Sequence, residues 1–163
     1  FDENEVRPMG RTARGVLTMK LPEGHKCVSM FAVHADTNME VLTVCANGYG
    51  KRTPVEEFTV HHRGGGGIML HSLTAKTGLV AGIAVVDSEN DVMIITDDGV
   101  IIRTGVEEIR ECGRGSQGVI VMRTGADVKV ISIARTDKEE EDETAEESTG
   151  ESAETTEETT DGE

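Results

Sequence analysis

The feature that most constrains this chain is an internal repeat with a period of 51 residues, which aligns residues 41–53 with residues 92–104. Each of the two segments has apolar and β-branched residues on both sides of an Asn-Gly or Asp-Gly pair, and each ends on Arg-Thr. Self-similarity at a fixed period is the signature of an array of structural units that pack against their neighbours. The chain is therefore expected to fold as a repeat protein.

The alignment continues along both copies in the same register. Residues 55–58 align with residues 106–109, and the glycine-rich residues 63–68 align with residues 114–119. A third, partial copy lies upstream, where residues 11–16 align with residues 63–68 at an offset of 52. We therefore divide this part of the chain, a partial array, into units of about 1–40, 41–91 and 92–136.

The repeat predicts β-strands. Asn47-Gly48 and Asp98-Gly99 favour tight hairpins in which both turn residues have positive φ, so the flanking apolar runs are expected to pair. Two further strands are expected after each glycine-rich loop, and no segment has a helical period. Four short strands per unit are typical of an all-β, propeller-like array. The predicted strands are residues 41–45, 49–53, 68–73, 79–86, 92–96, 100–104, 119–123 and 128–134, with 16–21 and 27–33 in the partial unit.

Charge divides the chain into a nearly neutral part and an acidic end. The whole chain has 31 acidic and 16 basic residues, for a formal net charge of −15. Residues 137–163 hold 14 of the acids and one base, a net of −13, which leaves 17 acids and 15 bases, a net of −2, in residues 1–136. The acidic end has no large apolar residue, so burial cannot offset its ordering entropy. We predict a disordered tail over residues 137–163.

Composition excludes several classes of protein. No apolar run approaches the ~20 residues that a membrane-spanning helix needs, and no signal peptide is visible. The three cysteines are odd in number, as expected for reduced thiols. A cytoplasmic protein without membrane contact is therefore expected. Phe1 is not a start methionine and the array is incomplete, so we also expect a fragment of a longer protein.

Candidate catalytic and cofactor motifs have simpler explanations. Residues 113–118 match the letters of the G-x-G-x-x-G fingerprint, but a predicted strand follows them instead of the helix that binds a pyrophosphate. The Glu-Glu pairs recur as part of the repeat, and adjacent side chains usually point to different faces. His61, His62 and His71 lack a second pair of ligands at the spacing of a metal site. No catalytic residue, metal site or cofactor is expected in this chain.

Arginine and lysine are the chemical class that recurs with the repeat, beside glycines or turns. Glycine lets backbone N–H groups approach an anion closely, and spaced basic residues on a curved surface suit the phosphates of bent duplex DNA. The alternative is ordinary surface charge, because acids and bases nearly balance in residues 1–136. The candidate phosphate contacts are Arg7, Arg11, Arg14, Lys51, Arg52, Arg63, Arg103 and Arg114.

A family resemblance favours DNA. Residues 47–58, Asn-Gly-Tyr-Gly-Lys-Arg-Thr-Pro-Val-Glu-Glu-Phe, closely resemble a segment of the C-terminal domain of gyrase A, the DNA-cleaving chain of DNA gyrase, which is a type IIA DNA topoisomerase. Residues 6–16 and 113–119 are similar to other repeats of that domain, and the likeness covers essentially all of residues 1–136. The resemblance implies a β-pinwheel, a propeller-like disc of blades whose basic rim wraps duplex DNA and so supports ATP-dependent negative supercoiling.

The resemblance also implies which activities the chain lacks. The family's box sequence, Gln-Arg-Arg-Gly-Gly-Lys-Gly, is absent, and residues 61–67 in an equivalent loop keep only Arg63 of its basic residues. The cleavage-tyrosine region and the ATPase chain of the enzyme are absent too, so the chain alone should neither cleave DNA nor hydrolyse ATP. The implied partners are double-stranded DNA, the remainder of gyrase A, and gyrase B, on the bacterial nucleoid. The alternative is a propeller-type protein-interaction module with no nucleic-acid role.

Overall fold

A computed structural model describes residues 1–34 and 37–138, and their regular structure is almost entirely β-sheet. The strands are β1 (Glu40–Cys45), β2 (Tyr49–Pro54), β3 (Val80–Val86), β4 (Asn90–Thr96), β5 (Ile101–Gly105), β6 (Val119–Ile120) and β7 (Val130–Asp137). Short 3-10 helices occupy Glu3–Glu5, Val55–Glu57 and Val106–Glu108, at equivalent places in the three units. The all-β prediction is confirmed. Within the described ranges, no helix is long and apolar enough to cross a membrane.

Both predicted hairpins form, with a turn that differs in detail from the expected one. β1 pairs with β2, and β4 pairs with β5, in antiparallel register. Positive φ occurs at Gly48 (77°) and Gly99 (87°) but not at the preceding Asn47 and Asp98. The N–H of each glycine bonds to the carbonyl three residues earlier, so each loop is a three-residue turn that ends in a left-handed glycine.

The strands form two antiparallel sheets whose orders are β3-β1-β2-β6 and β5-β4-β7. β6 follows the second hairpin in the sequence but pairs with β2 of the first hairpin, where Gly50 lies opposite Val119. The fourth strand of the first sheet therefore comes from the following repeat unit. This exchange interlocks successive units.

Residues of both sheets build the hydrophobic core. Leu42 and Val44 of β1 and Val92 and Ile94 of β4 are fully buried in one cluster. Each is an alternate residue of its hairpin strand, so one face of each strand lies in this core. Complete burial of such a side chain stabilises the fold by ~1.5–3 kcal/mol.

The strands predicted at residues 16–21, 27–33 and 68–73 do not form. In the repeat register, residues 28–34 are the counterpart of β3, and residues 68–73 are the counterpart of the segment that begins with β6. β3 pairs with β1, and β6 pairs with β2, whereas residues 28–34 and 68–73 pair with no strand among the described residues. A segment with no neighbouring strand cannot form a ladder. Its apolar side chains stay exposed, as shown by Met30, which is 85% exposed.

The last strand departs from its predicted bounds at both ends. β7 begins at Val130 and continues to Asp137, one residue into the predicted tail. Lys138 follows, and its Nζ donates to Glu107 Oε1 at 2.5 Å. Asp137 and Lys138 are therefore ordered parts of the last unit. The rest of the tail predicted over residues 137–163 lies outside the described residues.

Candidate nucleic-acid interface

Arg52 and Arg103, two of the predicted contacts, hold their own hairpins together. Arg52 Nη1 donates to Glu40 Oε2 at 2.5 Å, and Arg103 Nε donates to Asp91 Oδ2 at 2.8 Å. The two pairs are equivalent in the repeat, and each arginine also donates to a backbone carbonyl. Their side chains are 16% and 29% exposed, so a phosphate would have to compete with a carboxylate for each of them.

Lys51 is fully buried, which conflicts with its assignment as a phosphate contact. Its Nζ donates to the carbonyl oxygens of Gly113 and Arg114 at 2.7 Å and of Ser116 at 3.2 Å. Burial lowers the pKa of Lys51. All three acceptors belong to the glycine-rich loop of the next unit. Lys51 therefore joins two units and does not present its charge to solvent.

Arg63 joins the second unit to the first. Its N–H donates to Glu5 Oε2 at 3.2 Å, and its Nη1 donates to the Leu17 carbonyl at 3.3 Å. The N–H of Arg63 is the main cause of a lowered pKa at the Glu5 carboxyl. Glu5 ends the 3-10 helix of the first unit. We call this set of contacts the inter-unit clasp. In it, an arginine of a glycine-rich loop bonds to the last glutamate of the preceding unit's 3-10 helix and to a backbone carbonyl later in that unit.

Arg114 makes the same clasp one unit later. Its N–H donates to Glu57 Oε2 at 3.1 Å, and its Nη1 donates to the Met69 carbonyl at 3.3 Å. Its guanidinium carbon also lies 6.0 Å from the centroid of the Phe58 ring, within the range of a cation–π contact. Arg63 and Arg114 therefore each hold one unit against the preceding unit.

The remaining candidates are Arg7, Arg11 and Arg14. All three are exposed in the first glycine-rich loop, and none has a hydrogen bond or ion pair to the residues that the structure describes. Gly10 and Gly15 lie in the same loop, where an added β-carbon would meet no atom of the described residues within 4 Å. An anion can therefore approach this backbone closely.

Two further exposed cations, which sequence reasoning missed, lie at the turn end of the first hairpin. Lys76 Nζ lies 5.3 Å from the centroid of the Tyr49 ring, and Lys129 Nζ donates to Asn47 Oδ1 at 2.9 Å. Their counterparts in the neighbouring unit are an aspartate and a glycine, so no repeat signal marks them. Both lie there because each of the two loops that carry them contacts the first hairpin turn.

A thiol and an imidazole lie together in the interior. Cys45 Sγ lies 3.5 Å from His71 Nε2, which also lies 3.1 Å from the Gln117 carbonyl. Burial raises the pKa of the Cys45 thiol to about 11 and lowers the pKa of His71, so both groups are neutral near pH ~7. A protonated, buried thiol is a poor nucleophile. In residues 1–34 and 37–138, no three His, Cys, Asp or Glu side chains are placed to hold a metal ion.

Comparison with known families gives matches along the same units. The family model "DNA gyrase C-terminal domain, beta-propeller" matches residues 1–34, 40–87 and 90–137. The chain is 45% identical over 146 residues to gyrase A, the A chain of DNA gyrase, from Staphylococcus aureus strain NCTC 8325, and the match covers 90% of the chain. The chain spans only 16% of that relative's length.

Solved structures with a similar fold include C-terminal domains of DNA topoisomerase IV and of DNA gyrase A. The crystal structure of the C-terminal domain of DNA topoisomerase IV superposes with a TM-score of 0.77 at 27% identity, over 83% of this chain and 42% of that one. The structure of a DNA gyrase A C-terminal domain gives a TM-score of 0.69 at 24% identity, over 82% of this chain and 45% of that one.

Proposed function

Because this chain belongs to the DNA gyrase C-terminal domain family and is part of a gyrase A protein, we propose that it is a non-catalytic segment that wraps duplex DNA. In this proposal, exposed cations on the rim of the blades bind backbone phosphates. The wrapped DNA then supports ATP-dependent negative supercoiling by the whole enzyme, on the nucleoid of a bacterial cytoplasm. The protein partners are the rest of gyrase A and gyrase B.

The observation that carries the proposal is the cluster of Arg7, Arg11 and Arg14 in one exposed, glycine-containing loop. No ion pair to a described residue has to break before these guanidinium groups bind phosphate. Lys76 and Lys129 extend the proposed contact set, because both are exposed cations at a loop surface. Phosphate contacts of this kind give affinity without sequence preference.

The other five residues of the predicted set are not proposed as the main phosphate contacts. Arg52 and Arg103 contribute only if phosphate displaces Glu40 or Asp91 from them. Lys51, Arg63 and Arg114 support DNA binding indirectly, because they fix the units against one another and so set the path of the rim. The sequence-based set of eight is therefore narrowed here to its first three members.

The test is the affinity of the chain for one duplex across a salt series. Binding to duplex DNA releases counterions, so the logarithm of the affinity should fall linearly with the logarithm of the salt concentration. Replacing Arg7 and Arg14 together by alanine removes two phosphate contacts and should flatten that slope by about 2. A control pair, Thr12→Ala with Thr18→Ala in and beside the same loop, keeps every charge and should leave the slope unchanged.

A protein-interaction role without nucleic acid is the second candidate, favoured by the exposed apolar side chains of the first unit. Leu17, Val28 and Met30 are all exposed in a segment without strands. The salt series separates the two candidates. Absence of salt-dependent binding to duplex DNA at the lowest salt would reject DNA wrapping and leave the interaction module.

A further inference from the structure

The middle unit differs from its neighbours at one position of the repeat, shortly after the 3-10 helix. Arg7 of the first unit and Arg110 of the third are counterparts at this position, whereas the second unit has Thr59. Arg110 is exposed, and its guanidinium has no hydrogen bond or ion pair to the residues that the structure describes. The repeat therefore places a fixed cation in two units and a hydroxyl in the unit between them.

The loop that follows Thr59 has histidines where a free arginine could stand. Arg63 is the only arginine or lysine in residues 59–67, and its guanidinium is held in the inter-unit clasp. The two residues before it, His61 and His62, are both exposed, and the His62 side chain is 96% exposed. Any further positive charge in this loop must therefore come from protonation of these two imidazoles.

Each imidazole has one ring nitrogen held by a neighbour that suits both charge states. His61 Nε2 lies 2.9 Å from Thr59 Oγ1, and a hydroxyl can donate to a neutral ring or accept from a protonated one. His62 Nδ1 lies 3.2 Å from Glu5 Oε1, so this nitrogen carries the proton of the neutral ring. Neutral His62 thus presents only the lone pair of Nε2 to solvent. Protonation converts Nε2 into a charged donor.

Protonation also changes the charge of the whole loop surface. Glu5 and Arg63 are the charged groups in contact with the histidine pair, and their charges cancel while both imidazoles are neutral. The Arg63 N–H lowers the pKa of the Glu5 carboxyl, so Glu5 stays ionised at pH ~5.5 and the protonated pair adds two unbalanced positive charges. At Gly66, an added β-carbon would meet none of the described atoms within 4 Å, so an anion can approach the backbone closely.

We propose that His61 and His62 form a phosphate site for duplex DNA that is occupied only when both imidazoles are protonated. This inference rests on the proposed function, because it places DNA along the same three units. Above pH ~7, the DNA has fixed cationic contacts on either side of the middle unit and none at its glycine-rich loop. Below pH ~6, His61 Nδ1 and His62 Nε2 each donate to a phosphate, since histidine becomes charged in this range. Acidification therefore tightens DNA binding.

The test is a salt series for one duplex at pH ~7.5 and at pH ~5.5. Two additional phosphate contacts should make the slope of log affinity against log salt more negative by about 2 at the lower pH. His61→Gln with His62→Gln should remove this difference. The control, His25→Gln with His34→Gln, replaces two other exposed histidines and should retain it. Both variants keep His71, so any effect of acid on the fold is common to them.

A second variant, His61→Lys with His62→Lys, makes both charges permanent and should show the steeper slope at pH ~7.5 as well. Equal slopes of the original chain at the two pH values would overturn the inference and leave DNA wrapping intact. So would a slope difference that persists in the glutamine variant, a control that loses it, or a lysine variant with the shallow slope. Absence of salt-dependent binding at both pH values would instead reject DNA wrapping, and this inference with it.

Discussion

At the scale of single residues, the charge of a side chain does not reveal its role in this fold. Lys51 and Arg52 are neighbours in sequence, yet one is buried against three carbonyls of the next unit and the other closes its own hairpin. Alternation along β2 explains the difference, because adjacent side chains point to opposite faces of the sheet. A basic residue in a strand must therefore be assigned to a face before it is assigned to DNA.

Lys51 should be important for stability. Replacing it by methionine keeps most of its volume but leaves three carbonyls of the next unit's loop without a donor. We expect the free energy of unfolding to fall by ~2–3 kcal/mol, measured by urea denaturation. Lys26→Met, at an exposed position, should change it by less than ~0.5 kcal/mol. Equal values for the two variants would show that the three hydrogen bonds contribute nothing.

His71 should make stability depend on pH. Burial, and then the charge of Lys51, lower its folded-state pKa below the ordinary 6.5, so the folded state holds the imidazole neutral. Stability should be complete above the unfolded-state pKa and should be lost as pH falls from ~6.5 through the folded-state value. We expect His71→Gln to have a smaller loss of stability than the original chain between pH ~7.5 and ~5.5. His25→Gln, at an exposed position, should retain the full loss. A full loss in His71→Gln would exclude His71 as the cause.

At the scale of elements, the two hairpins have the same turn in different surroundings. Gly48 and Gly99 are equivalent and both have positive φ. A β-carbon at Gly48 would lie 1.9 Å from the Met122 carbonyl oxygen of the next unit, whereas none of the described atoms lies within 4 Å at Gly99. The first turn is thus packed against its neighbour, and the second is open.

This difference predicts unequal costs for the same substitution. Gly99→Ala should lower the free energy of unfolding by ~1–2 kcal/mol, the cost of a left-handed alanine. Gly48→Ala should cost clearly more, because the β6 segment must also move away from the turn. Thermal unfolding of the two variants under one set of conditions measures the gap. Equal shifts would mean that the contact between turn and β6 segment is not important for stability.

Elements were predictable from sequence to the extent that their partners lie nearby in the chain. The hairpins at Asn47-Gly48 and Asp98-Gly99 follow from local turn chemistry and from the apolar, β-branched runs beside each turn. Residues 27–33 are also rich in apolar residues but form no strand, because no described strand lies beside them to form a ladder. The inter-unit clasps could not be predicted from the sequence for a related reason. Arg63 and Arg114 recur with the repeat as phosphate contacts would, and only the packing of units distinguishes the two roles.

At the scale of the whole molecule, the acidic end should oppose DNA binding. Residues 139–163 contain 13 acids and no base, a net of −13 tethered directly after Lys138. A tethered segment can act at an effective concentration of ~mM, and its charges also repel DNA within a Debye length of ~8 Å at physiological salt. Competition by the tethered segment and repulsion by its charges both weaken DNA binding.

Truncation after Lys138 should therefore tighten DNA binding, most at low salt, where screening is weakest. The measurement compares the full and truncated chains on one duplex across a salt series. A variant in which the same 25 positions are kept but every acid is replaced by its amide is the matched control, and should bind like the truncated chain. Equal affinities of full and truncated chains at the lowest salt would reject the competition.

Because β6 pairs with a strand of the preceding unit, the boundaries of a sequence repeat differ from the boundaries of a sheet. A genetic duplication or loss of one whole period leaves every exchange intact, because each unit still completes the sheet before it. A deletion that instead follows the outline of one sheet removes a strand from its neighbour. The length of such an array can therefore change during evolution only in steps of the sequence period. After each such step, the contacts between neighbouring units are the same as before.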